Sequence, residues 1–152
     1  MTGGNSSDIA DVYFALRRYV LVHDAVFSFS WRKLLPIPGI FLPVDYAEHA
    51  AELSGVAATL SRVRKDIAGN LSIPAFFSEY VTALLLTIET LHHICECLDK
   101  EAKGAAGIYK FGSYRRDVDH YRELAKNYQL LGDRVNEYLL ASEGKNKAFE
   151  RP

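Results

Sequence analysis

Ser72 to Gly104, SIPAFFSEYVTALLLTIETLHHICECLDKEAKG, decides the fold. Its apolar residues recur as Phe77, Val81, Leu84, Ile88, Leu91, Cys95 and Leu98. Those alternating steps of four and three are the seam of a helix packed along its length, whereas a strand would alternate every second residue. At 1.5 Å per residue the helix is roughly 45 Å long and needs partners of similar length to cover its apolar side.

The flanking sequence supplies three. After a flexible lead-in over residues 1–5, Ser6 or Ser7 can cap a first helix with Asp8 and Asp11 in its opening turn, running to about Leu35. Its stripe is Ile9, Val12, Leu16, Tyr19, His23 and Val26, and the additional Phe14, Val20, Val22 and Phe27 make the apolar arc wider than one neighbour requires. Asp45 and Glu48 form a capping box for a second helix that ends near Gly69-Asn70, with Ala47, Ala51, Ser54, Ala58 and Ser61 as a small-residue face suited to close helix approach. Past the glycine-punctuated connection from Gly104 to Gly112, Ser113 caps a last helix that reaches about Ser142 before a flexible tail over residues 143–152. Tyr114, Tyr121 and Tyr128 recur on it every seven residues, rings inward and hydroxyls expected at a wet edge. Four long helices with short connections predict an all-α, up-down-up-down antiparallel four-helix bundle, one domain over residues 1–152. The surplus apolar surface of its first and third helices predicts a homodimer.

Composition agrees with one ordinary globular domain: 152 residues, 49% hydrophobic and 24% charged. A net charge of −1 supplies no general drive toward nucleic acid. Cys95 and Cys97, two apart on a helix, point about 200° away from each other and cannot bridge, so they read as free thiols of a reducing compartment. The polar, acidic N-terminus lacks the basic start and apolar run of a signal peptide. His23 and Asp24 interrupt one apolar window, and Glu89, His92, His93 and Glu96 the other, so no membrane span is expected and the chain reads as cytoplasmic.

Residues 36–43, with three prolines and one glycine, leave Ile37, Ile40, Phe41 and Leu42 in a loop. Such a loop is expected to plug the bundle over Trp31, and docking of a partner or second subunit is the alternative.

Ranking residues by height along the helices puts His23 level with Glu89, which with His92 and Glu96 lines the third helix, and places Glu96 near His120. A buried polar layer of His23, Glu89 and His92 follows. Glu89-x-x-His92 is half of what carboxylate-bridged di-iron bundles use, but the nearest second copy, Asp117-x-x-His120, stands two to three turns away on this ranking, so no metal is expected. At the start of the last helix, Lys110, Arg115 and Arg116 gather where the helix dipole is already positive, an arrangement suited to a phosphate or carboxylate. Asp117 and Asp119 follow at once and neutralise the cluster.

Arg115-x4-His120 is similar in spacing to the motif of the HEPN family of helical ribonucleases. That resemblance implies a dimer cleft in which Arg115 steadies an RNA phosphate and His120 transfers protons. It covers six residues; Arg116 stands where the family has a small polar residue, and Arg18-x4-His23 repeats the spacing in the first helix. Cys95 on the core seam reads as packing, and Cys97 has only Lys100 one turn away, so nucleophilic catalysis has no support in the spacing. The sequence reading is therefore a non-enzymatic cytoplasmic interaction or regulatory module, self-associating and without cofactor. The alternative is a HEPN-like ribonuclease or phosphate-binding protein built on the start of the last helix.

Overall fold

In the computed structural model, residues 3–27, 45–104 and 112–149 are described, with side chains described over 7–27, 45–104 and 112–143. They form four helices, α1 (Gly3–Phe27), α2 (Tyr46–Ile67), α3 (Ala75–Ala102) and α4 (Ser113–Phe149), with no strand among the described residues. The chain is the expected up-down-up-down bundle. Arg18 pairs with Glu52 at 2.5 Å and Arg62 with Asp11 at 2.7 Å, so α1 and α2 run antiparallel; His93 with Asp117 at 3.7 Å and the Phe76 and Tyr138 rings at 5.4 Å do the same for α3 and α4. These exposed pairs mark the register more than they strengthen it.

The core is built on α3. Phe77, Val81, Leu84, Ile88, Leu91 and Cys95 of the predicted seam are all buried, and Tyr80, Ala83, Leu85 and Ile94 widen it because α3 packs against α2 on one side and α4 on the other. Thr87, the buried polar residue on this helix, bonds to the Ala83 carbonyl at 2.8 Å, and among the described residues no buried side-chain polar atom lacks a partner. By length and composition α3 could cross a membrane, contrary to the sequence reading, but 56% of its most apolar window is buried inside the bundle, and a core helix has the same composition.

Several local expectations change. α1 starts at Gly3, so Asp8 and Asp11 lie beyond its first turn; its described part ends at Phe27, and the extension to Leu35 lies outside the described residues. Asp45 does cap α2, accepting the Glu48 N–H at 3.0 Å, and Gly69, at φ 78°, ends it two residues after Ile67. The buried face of α2 is Ala50, Leu53, Val56, Leu60, Val63 and Ile67, whereas Ala47, Ala51, Ser54 and Ala58 of the supposed small seam are exposed. Larger side chains release more apolar area from water and so decide which way the helix turns. α4 continues to Phe149 instead of ending at Ser142. The connection over residues 105–111 and the apolar loop with Ile37, Ile40, Phe41 and Leu42, as well as Trp31, lie outside the described residues.

Leu84 is fully buried, while Leu86 on the opposite face is 48% exposed. Leu84→Ala should cost roughly 2–5 kcal/mol in urea denaturation and Leu86→Ala about 0.5 kcal/mol or less. Equal losses would show that the predicted seam does not carry the packing.

Candidate functional site

α1 and α4 close the ring of helices differently from the other neighbours. Among the described residues no Cα of α1 comes within 8 Å of a Cα of α4, so side chains alone span that seam. Tyr19 and His23, one turn apart on α1, reach across to Tyr121 and Tyr128, two turns apart on α4. Tyr19 meets Tyr128 edge-on at a centroid distance of 5.8 Å, and the Tyr121 ring stacks on His23 at 5.7 Å and on Phe27 at 5.3 Å. The polar atoms form a chain: Tyr19 Oη bonds Tyr121 Oη, which lies 2.6 Å from His23 Nδ1. With the imidazole neutral, Tyr19 donates to Tyr121 and Tyr121 donates to Nδ1, which satisfies both hydroxyls and leaves the Nε2 proton free to donate.

Electrostatics fix those protons in place. Burial, with Tyr121 beside it, raises the Tyr19 phenol far above its ordinary value. Burial raises Tyr121 too, although the hydrogen bond from Tyr19 opposes this. Burial lowers the His23 imidazole below its ordinary value, and nearby Asp24 only partly offsets it. At neutral pH the three groups are uncharged. The hydroxyl chain thus clamps α1 to α4 through groups that are neutral at neutral pH.

Outside the clamp lies an open groove of about 600 Å³, bordered by His23, His120, Tyr121, Arg122 and Lys126. Neither Arg115 nor Arg116 lines it. Both arginines and His120 are exposed, and Lys110 lies outside the described residues. Five residues apart on one helix, Arg115 and His120 are separated by about 140° of rotation and do not share a face within one chain. His120 shares its face with Arg116 instead, four residues before it.

The polar layer needs correction. The α1–α4 and α3–α4 contacts, His23 with Tyr121 and His93 with Asp117, do put His23 near the height of Glu89, as ranked. Glu89 is nonetheless exposed, and His92 is half-buried and lies 3.8 Å from Glu96. Ile88, fully buried, sets the rotation of α3 and turns the next residue about 100° outward. The same register moves Glu96 away from His120 and brings Asp117 and His120 level with His93 and Glu89, closer than the ranking gave. Sharing a height does not make them converge: among the described residues no three His, Cys, Asp or Glu side chains gather where they could hold a metal.

Cys97 Sγ lies 3.6 Å from His93 Nε2, and Asp117 lies 3.7 Å from that same nitrogen. A catalytic base uses one ring nitrogen for the nucleophile and the other for its orienting carboxylate, a division missing here. Burial pushes the Cys95 thiol up to about 12, which leaves it unreactive. Tyr19 and Tyr121 were the residues missed by sequence reasoning; the signal was Tyr19-x3-His23 on one apolar stripe and the seven-residue tyrosine spacing on the other helix. No family model, curated protein or solved structure matches the chain.

The His23 shift has a definite sign. An unfolded imidazole takes its proton near pH 6.5, whereas the folded one resists until lower pH, so the stability it supplies above that point is lost as pH falls through it. The melting temperature should therefore drop between pH 7.5 and 5.5, with a shallower drop in His23→Asn. Parallel pH profiles for the two proteins would exclude the clamp histidine as the cause.

Proposed function

We propose that the protein is a non-catalytic helical interaction module of the cytoplasm that self-associates through the outer face of α1. The observation carrying this reading is an uncovered apolar row: Tyr13 and Phe14 are each 60% exposed and Leu21 66%, with Val20 beside it. Tyr13 and Val20, like Phe14 and Leu21, are seven residues apart, so they form a band two residues wide along a helix whose opposite side is already buried in the core. A monomer gains nothing from such a band.

Charge argues for a second copy as the occupant. Exposed Arg17 and Asp24 lie seven residues apart on the same band, and neither makes an ion pair among the described residues. A twofold axis between Val20 and Leu21, with the two α1 helices antiparallel, sets Arg17 against Asp24 of the partner subunit twice. It also packs Val20 on the partner's Leu21 and the reverse, which is the self-complementarity a closed dimer requires. The free thiols of Cys95 and Cys97 support a reducing compartment.

Light scattering on a sizing column should give twice the chain mass at micromolar concentration and the single-chain mass for Leu21→Glu. Arg17→Glu should also dissociate the dimer, and adding Asp24→Arg should restore it. A single-chain mass for the unmodified protein up to about 100 μM, or an unchanged dimer in Leu21→Glu, would contradict the reading.

A further inference from the structure

At the other end of the α1–α4 seam, where the ring of helices is equally unclosed, lies a cleft of about 480 Å³. Its walls are Phe76 and Phe77 from the start of α3 and Val135 and Leu139 from α4, with Tyr138 meeting Phe76 edge-on at 5.4 Å. This is the volume and lining of a small-ligand site. Among the described residues, its polar side chains other than the Tyr138 phenol offer acceptors. Ser72 has its hydroxyl proton committed to Asn70 Oδ1 at 2.6 Å, and Ser142 has its own committed to the Tyr138 carbonyl at 2.9 Å, so each turns only lone pairs to a visitor. The Asp8 carboxylate also lines the cleft and makes no hydrogen bond or ion pair among the described residues.

The surrounding charges sharpen the preference. Asp8 feels both Asp11 and Asp66, and the guanidinium of Arg62 near them is engaged by Asp11 at 2.7 Å and Asp66 at 3.4 Å. Among the described residues three carboxylates thus share one guanidinium. The N-terminus of α3, with Pro74 at its cap and no side-chain cap bond, also borders the cleft and would favour an anion. A helix terminus carries about half an elementary charge, less than the Asp8 carboxylate alone. An anionic head is repelled on balance, and a hydroxyl head would leave the carboxylate without its counterion.

We propose that this cleft binds a small primary ammonium with an aromatic or aliphatic body: the ammonium donates to the Asp8 carboxylate and the Ser72 and Ser142 oxygens, and the body lies against Phe76, Phe77 and Leu139. An ammonium brings three donors to a site whose polar groups accept, and the ring of Tyr138 adds an aromatic face for the cation. The site is separate from the outer face of α1, so it stands whether or not the chain dimerises.

Calorimetric titration of the full chain with phenethylammonium, phenylacetate and 2-phenylethanol compares three heads on one body. Phenethylammonium should bind, the other two at least tenfold more weakly, and Asp8→Asn should weaken the amine roughly ten- to a hundredfold while leaving the melting temperature near that of the unmodified protein. Leu139→Trp, which fills the cleft, should abolish amine binding in a protein that still melts cooperatively. No binding of the amine at millimolar concentration, equal or tighter binding of phenylacetate, or amine affinity unchanged in Asp8→Asn would overturn the proposal.

Discussion

The separation between α1 and α4 is the constraint on which the rest of this bundle depends. The other neighbouring helices pack backbone to backbone, but here no pair of Cα atoms among the described residues comes within 8 Å, and tyrosine and histidine side chains fill the distance. Aromatic side chains suit the task because each buries a large apolar area and keeps a polar tip that must then be paired. The hydroxyl chain from Tyr19 through Tyr121 to His23 provides that pairing inside the protein. Where the rings stop, the seam stays open: the groove beside His23 lies at one end and the acceptor-lined cleft beside Asp8 at the other.

The helices were legible because burial follows period. Phe77, Val81, Leu84 and Ile88 repeat at helical spacing and are buried as that repeat requires. Rotation about the axis was harder to read. Glu89 stands at the expected height and still faces water, since its neighbour Ile88 claims the core, and the small residues of α2 lost the packed face to Leu53, Val56 and Leu60 by the same competition. His23, ranked level with Glu89, instead meets Tyr121 for a topological reason. α1 faces α3 across the diagonal of the bundle, so the nearest polar group to a histidine on that side belongs to α4. The Tyr121 hydroxyl was expected at a wet edge; it is instead buried, because the wide seam gives a phenol room to meet another phenol.

These features divide α1 into two working sides. Its inner side, with Val12, Ala15, Tyr19, Val22 and Val26 buried, is held to α2 by direct packing and to α4 by the clamp. Its outer side carries Tyr13, Phe14, Val20 and Leu21 into solvent. Anything that loosens the clamp would shift α1 and with it both the proposed dimer face and the mouth of the cleft, because one helix contributes to all three.

A double-mutant cycle on Tyr19→Phe and Tyr121→Phe, read by chemical denaturation, tests the clamp most directly. Each phenylalanine removes one hydroxyl and leaves the other with an unmet bond, so each single change should cost about 1–3 kcal/mol and the pair together clearly less than their sum. Additivity within about 0.3 kcal/mol would mean that the two hydroxyls do not bond across the seam, and the account of how this bundle closes would be wrong.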